Sequence, residues 1–140
     1  MNLDASRQEQ VDYYLCQLDG KDADNAYHSL LEMGPPIIPA IIERFRHETE
    51  PEIRATLVEI VWQQRSHEAL EFLYDVLDDD GKVVWKQALN GLVALGSPNA
   101  MRVLEDAFKR YAARQDATRM EYIKEAIGQI TAHDGAIHEP

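Results

Sequence analysis

The sequence has one cysteine, no long apolar run and no basic segment at its start. Cys16 has no second cysteine to pair with, so an internal disulfide is excluded and a reducing compartment is expected. The first ten residues, MNLDASRQEQ, lack the basic and then apolar pattern of a secretory signal. No stretch approaches the roughly twenty apolar residues that span a bilayer. We therefore expect a cytoplasmic protein that does not enter a membrane.

Basic residues are also few. The chain has 14 Lys and Arg against 25 Asp and Glu, a net charge of -11, which repels nucleic-acid phosphates and anionic membranes. The densest basic group, Lys109, Arg110 and Arg114, is interleaved only with Tyr111. We therefore expect no nucleic-acid partner. The negative charge either serves solubility or attracts a basic protein.

Patterns that carry catalysis or bind metals are missing. The five histidines form no HExxH pair, and the chain has neither a CxxC nor a Gly-rich phosphate loop. The acidic residues lack the spacing of a calcium loop. Cys16 falls in a predicted helix, where a lone cysteine is expected to be a small buried hydrophobe. We therefore expect no catalytic residue, no cofactor and no metal.

Apolar residues recur with a period of 31, the shift that carries Gly34 onto Arg65 and Arg65 onto Gly96. Within each copy the aligned positions lie three and four apart, which is the spacing of one face of a helix. The shift therefore predicts repeated helical hairpins, each with a first helix, a short turn and a second helix. Its five columns are Tyr27, Val58, Leu89 and Met120; Leu30, Val61, Leu92 and Ile123; Ile38, Ala69 and Ala100; Ile41, Phe72 and Val103; and Ile42, Leu73 and Leu104.

The same shift predicts helix bounds. First helices are expected at 22–33, 51–64, 82–95 and 117–131, and second helices at 36–47, 67–78 and 98–113. Residues 4–18 are expected to form a capping helix that starts at the N-cap Asp4. We expect one domain over residues 1–140, with repeats from 22 to 131 and a flexible tail from 132 to 140.

Turn residues agree with these bounds. Gly34 and Gly96 each precede a proline at or near a helix start, and glycine tolerates the positive φ that ends many helices. Arg65 occupies the aligned position of the middle turn, where Ser66 is the predicted N-cap.

Residues 79–104, DDGKVVWKQALNGLVALGSPNAMRVL, resemble a HEAT-like repeat, in particular the variety named after phycobilisome lyases. Ile53-Arg54 matches the Val-Arg of that pattern, whereas Trp85 replaces the arginine in the next copy. The resemblance implies an all-α fold, a short right-handed α-solenoid of about eight helices. It also implies that the second helices line a concave face suited to binding a partner.

An acidic surface is predicted on the outward side of the second helices. Residues 68–81 carry six carboxylates and no basic residue, and Asp78 and Asp79 fall near a helix C-terminus, where negative charge is unfavourable. Capping of the next helix by Asp79 or Asp80, or an ion pair with Arg54, would explain part of this acid. Trp85 is expected to be partly exposed and Trp62 to be core. The predicted partner-binding residues are Glu43, Glu71, Tyr74, Asp75, Asp78, Asp79, Trp85, Glu105 and Asp106.

These features predict a non-catalytic protein-interaction module. Its most specific form is a bacterial immunity or antitoxin-type inhibitor that covers a basic partner, such as a cognate toxin. Two alternatives stay open: a lyase-like or other enzyme-accessory protein that holds a small molecule or client in a groove, and a generic scaffold or chaperone adaptor.

Overall fold

Helices account for most of the chain. The structure is a computed structural model that describes residues 3–138, with side chains for residues 3–132. Within that range it has no β-strand, so the predicted all-α fold is confirmed. The helices are α1 (Ala5–Leu15), α2 (Ala23–Glu32), α3 (Ile38–His47), α4 (Pro51–Gln63), α5 (Ala69–Val76), α6 (Lys82–Leu95), α7 (Pro98–Ala113) and α8 (Ala117–His138), with a short 3₁₀ helix, Pro35–Ile37, before α3.

Three helices differ appreciably from their predicted bounds. α1 ends at Leu15, before the predicted end at 18, because the backbone NH groups of Gln17 and Leu18 donate to the oxygens of Tyr14 and Leu15 and so form turns. α5 is shorter at both ends than the predicted 67–78. At its start Ser66 accepts a hydrogen bond from the backbone NH of Glu68 at 3.3 Å and so belongs to a turn, and at its end the backbone NH of Asp78 donates to the oxygen of Asp75 at 3.1 Å, which is also a turn. α8 continues to His138, past the predicted end at 131, because no proline interrupts the sequence before Pro140. Residues 132–138 of the predicted flexible tail are therefore helical, and residues 139 and 140 lie outside the described part.

The three hairpin turns share one backbone feature. Gly34, Arg65 and Gly96, which align with one another under the repeat shift, all have positive φ, at 83°, 55° and 55°. After the last of these turns, Ser97 caps α7 by accepting a hydrogen bond from the backbone NH of Ala100 at 3.1 Å. Asp4 caps α1 in the same way, as predicted. The repeat is therefore a repeat of turn geometry as well as of apolar residues.

Residue contacts group the chain into two compact units, residues 1–69 and residues 70–140. The predicted single domain stays a prediction. In the first unit α1 packs on α2, and α4 packs on both α2 and α3. In the second unit α6, α7 and α8 pack on one another. The α2–α4 and α6–α8 contacts join the first helices of successive hairpins, as the predicted stacking requires.

The buried positions follow the columns of the repeat. Every member of the Leu30 column and of the Ile38 column is buried, whereas the other three columns each include a partly exposed member. Two predictions outside the columns are wrong. Trp62 is partly exposed, and Cys16 is exposed because α1, a terminal helix, buries only the stripe of Val11 and Leu15.

None of the helices in the described part of the chain combines the length and apolar character that a membrane crossing requires.

The turn at Gly96 provides a test of the fold. Gly96→Ala should lower the free energy of unfolding by about 1 kcal/mol, because a side chain disfavours the left-handed backbone at φ 55°. Gly128→Ala, in the middle of α8, should raise it by about 0.5–1 kcal/mol, because the added carbon meets none of the described atoms within 4 Å beyond the adjoining helix backbone and chain neighbours. Urea unfolding of both variants measures the two changes, and equal effects would contradict the assigned turn.

Candidate functional site

Arginine side chains cap the C-terminal ends of several helices. The last carbonyls of a helix have no partner within it and lie at the negative end of its dipole, so a guanidinium is a favourable donor to them. The donors and acceptors are Arg7 to Met33 O at 2.9 Å, Arg54 to Phe45 O at 2.8 Å and Glu48 O at 3.0 Å, Arg110 to Tyr74 O at 3.1 Å, and Arg119 to Leu77 O at 2.9 Å and to Asp79 O.

Three of these arginines also stack on aromatic rings. The guanidinium carbon of Arg54 lies 3.9 Å from the ring centre of Phe45, and that of Arg110 lies 4.1 Å from the ring centre of Tyr74. Cation–π contacts of this kind add favourable electrostatic energy, more so where water is excluded. Four of the 14 basic side chains are thus partly buried against helix ends.

Trp85 is buried, with 4% of its surface exposed, so the prediction that it is partly exposed is wrong, whereas its role in partner binding stays a prediction. Arg119 lies 4.9 Å from its ring centre on one side, and Tyr122 meets it edge-on at 5.3 Å. The column position of Trp85 is held by Arg54 in the preceding hairpin, where Arg54 caps the end of α3. In the second unit Arg119 caps the end of α5. Trp85 and Arg119 together thus take the place that Arg54 holds alone in the preceding hairpin.

Asp78 has strong internal partners at the end of α5. Its carboxylate accepts hydrogen bonds from Arg114 at 2.6 Å and from the Tyr111 hydroxyl at 3.1 Å. Burial alone would raise the pKa of Asp78, but these hydrogen bonds and the nearby arginine charges outweigh it and hold the pKa below its ordinary value. Burial, opposed by Arg110 and assisted by Asp78, raises the pKa of Tyr111 to about 12. The acid at this helix end is therefore largely accounted for within the fold.

Asp79 has a local structural role. Its carboxylate accepts a hydrogen bond from the backbone NH of Gly81 at 2.9 Å, just before α6 begins. Asp79 therefore closes a turn before α6 and does not cap the helix itself. The N-cap residue is Gly81, which has no side chain to accept a hydrogen bond.

Four other predicted residues of the second unit are exposed acids. Glu71 and Asp75 lie one turn apart on α5, and Glu105 and Asp106 are adjacent on α7. Within the described part of the chain, their carboxylates make no ion pair and no hydrogen bond. Tyr74, partly exposed, lies on the same side of α5 as Glu71. We call Glu71, Tyr74, Asp75, Glu105 and Asp106 the acidic surface; its role in binding stays a prediction.

Arg110 links the two helices of the acidic surface. It extends from α7 to the ring and carbonyl of Tyr74 on α5, and Asp106 precedes it by one helical turn. Asp106 and Arg110 therefore lie on one face of α7, and Arg110 contacts Tyr74.

Glu43 belongs to the first unit and lines a cleft of about 490 Å³ between α1 and α3. The apolar residues of the cleft are Leu3, Leu15, Pro36, Pro39 and Ala40. Its polar residues are Gln8, Asp12, Glu43, Arg44 and His47.

Sequence reasoning missed Asp12, although a signal for it exists. The repeat shift carries Asp12 onto Glu43, so Asp12 extends the column Glu43, Tyr74 and Glu105 back to α1. Two carboxylates thus stand at equivalent positions on the two helices that face the cleft. No group of three or more metal-ligating side chains occurs among the residues whose side chains are described.

Arg119→Met should lower the free energy of unfolding by about 2–4 kcal/mol, because it leaves carbonyls at the end of α5 without a donor and removes the cation beside Trp85. Arg102→Met is the matched control, since Arg102 is exposed and hydrogen-bonds only to Asn99 at 3.4 Å. It should change stability by less than about 0.5 kcal/mol. Chemical unfolding followed by tryptophan fluorescence measures both; similar losses would contradict the capping role.

Asp78 should make stability depend on acid pH. Its folded-state pKa lies below the unfolded value of about 3.9, so its stabilisation is present above that value and is lost as pH falls through the folded-state pKa. Asp78→Asn should therefore be less stable at neutral pH and lose less stability on acidification. Asp80→Asn, which changes an exposed carboxylate nearby, should follow the parent chain when melting temperature is measured across this pH range.

Comparison with known proteins adds one result. Residues 38–121, more than half of the chain, match the family described as HEAT repeats. No curated protein and no solved structure matches the chain. The match does not separate the phycobilisome-lyase variety from other HEAT repeats, so that finer resemblance stays a prediction. Because the matched segment runs from α3 into α8 and carries the repeated hairpins, the chain belongs to the HEAT repeat family.

Proposed function

We propose that this protein is a non-catalytic interaction module that inhibits a basic partner protein in the manner of an immunity protein or antitoxin. HEAT repeats generally act as protein-interaction modules, which supports the broad part of the proposal. The finer part concerns the sign of the partner's charge and the consequence of binding, and it depends on the acidic surface.

The observation that carries the proposal is an asymmetry between the two signs of charge. Arg110 and Arg119 donate to helix carbonyls and stack on rings, whereas the carboxylates of the acidic surface have no ionic partner among the described residues. Unpaired carboxylates attract lysine and arginine on a partner without first having to break an internal ion pair.

Tyr74 gives the acidic surface a component besides charge. A partly exposed tyrosine offers apolar area with a polar tip, and interfaces are enriched in such residues. Arg110 stacks on the ring at 4.1 Å and thereby restricts it before any partner arrives. A restrained aromatic loses little side-chain entropy on binding, which favours affinity.

The overall charge favours fast association with a basic partner. A net charge of -11 raises the encounter rate with a positive protein at low ionic strength, and the effect weakens as salt is added. An inhibitor that must reach a toxin before the toxin reaches its target benefits from a fast encounter. Binding over the catalytic groove of such a partner would block its substrate by steric exclusion.

The acidic surface can be tested by charge reversal. Glu71→Lys with Asp75→Lys should weaken binding to the protein encoded by the adjacent gene by about 10- to 100-fold, because it places two cations opposite the partner's own. Glu121→Lys with Glu125→Lys is the matched control: it reverses two exposed acids with the same spacing, on α8, and leaves the same net charge. The control should weaken binding less than about threefold, through the loss of steering alone.

Calorimetry at two salt concentrations measures the affinities, and co-expression of the adjacent gene's product measures protection against its toxicity. Equal losses in the two double variants would overturn the choice of surface. A partner that does not bind the parent chain, or that is not inhibited when bound, would overturn the proposed function.

A further inference from the structure

We propose that the cleft between α1 and α3 receives a lysine or arginine side chain of the partner protein. The inference rests on the proposed function, because the side chain belongs to a basic partner. It concerns the first unit, whereas the acidic surface lies in the second.

The walls of the cleft suit the stem of a long basic side chain. One part is apolar, formed by Leu15 of α1 and by Pro36, Pro39 and Ala40 at the start of α3. Lysine and arginine bury their methylene groups against such surfaces while the charged end stays near polar groups. A cleft of about 490 Å³ that is both apolar and polar therefore matches an amphipathic side chain.

Two carboxylates are available for the charged end. Among the described residues, the one hydrogen-bond donor to the Asp12 carboxylate is the neutral side-chain amide of Gln8, at 3.0 Å. Glu43 lies 3.6 Å from Arg46 and 3.5 Å from His47, and all three side chains are more than 60% exposed. Exposed pairs of this kind contribute about 0–1 kcal/mol, so a partner's cation can replace them at small cost.

Arg44, the arginine that lines the cleft, has a carboxylate outside the cleft as its partner. Arg44 pairs with Glu48 at 3.4 Å, and the Glu48 side chain is only 13% exposed. The ring Nδ1 of His47 lies 2.9 Å from the backbone oxygen of Glu43. Asp12 and Glu43 consequently leave the cleft with an excess of negative charge.

The first unit reinforces that charge. Residues 1–69 carry 13 acidic and 6 basic residues, a net charge of -7, against 12 acidic and 8 basic residues and a net charge of -4 for residues 70–140. Clefts with low-dielectric walls concentrate the field of the surrounding charges. A positive side chain is thus favoured over a neutral or negative one at this position.

A pair of peptides on the full chain tests the cleft. The probes are acetyl-Ala-Ala-Arg-Ala-Ala-amide and the same peptide with citrulline, which keeps the shape of arginine but lacks its charge. The arginine peptide should shift the backbone NMR signals of Gln8–Leu15 and of residues 36–47, and should bind at least about tenfold more tightly than the citrulline peptide.

Neutral variants locate the charge. Asp12→Asn with Glu43→Gln should reduce the affinity of the arginine peptide at least about tenfold, since both negative charges that line the cleft are removed. Glu9→Gln with Glu32→Gln, two exposed acids of the first unit that do not line the cleft, should leave it within about twofold. Because all four positions are exposed and the changes nearly isosteric, the melting temperature should show that each variant folds.

Three results would overturn the inference: no shifts in α1 or α3 up to about 10 mM peptide, equal binding of the citrulline peptide, or equal losses in the two double variants. Equal binding of citrulline would instead indicate a neutral small-molecule pocket. Each of these results leaves the proposed function intact if Glu71→Lys with Asp75→Lys still weakens binding of the adjacent gene's product. If the adjacent gene's product does not bind the parent chain but the arginine peptide binds the cleft, the proposed function is overturned, and only the preference of the cleft for a basic side chain stands.

Discussion

Short helices end in carbonyl groups that need hydrogen-bond donors, and in this protein arginine side chains supply many of them. Every hairpin adds at least one such end close to a turn, where water or a donor must satisfy it. Arg54 meets the need at the end of α3 from the next helix along the chain. Arg119 meets it at the end of α5 from much further along the sequence. The packing of each unit depends on these bonds, because they join one helix end to the side of another helix.

This use of arginine determines the charge that the surface presents. A guanidinium that donates to carbonyls and stacks on Tyr74 or Trp85 is held within the unit, where a partner meets less of its charge. The chain has 14 basic residues and 25 acidic ones, so withdrawing several of the former makes the outward potential more negative than the net charge alone suggests. Acidity at the surface is thus partly a consequence of how the helix ends are capped.

The sequence predicted the features that recur with the repeat. It did not predict residue pairs that take over a role from one repeat to the next, such as Trp85 with Arg119. Burial of the Leu30 column follows from period alone, since helix spacing and the repeat shift select the same face. Positive φ at Gly34 and Gly96 agrees with the tolerance of glycine for that conformation, whereas the positive φ of Arg65 was not predicted, because Arg65 is not a glycine. Trp85 was mispredicted because its partner, Arg119, lies two helices further along the chain and outside the column. Pairings of that kind depend on tertiary contacts, which no local pattern contains.

One column shows how equal register can produce unequal surfaces. Asp12, Glu43, Tyr74 and Glu105 occupy equivalent positions on α1, α3, α5 and α7. In the first unit the two carboxylates border an open cleft, whereas in the second Arg110 crosses from α7 to Tyr74 and occupies the space beside it. In the second unit, the protein's own Arg110 thus lies beside this column. In the first unit, we propose that a basic side chain of the partner lies beside it. Stacking of the hairpins requires only the buried columns to repeat, so the residues of the outward column can differ between the two units. Arg110 occupies the space beside Tyr74, whereas the cleft beside Asp12 and Glu43 is open to the cation that we propose.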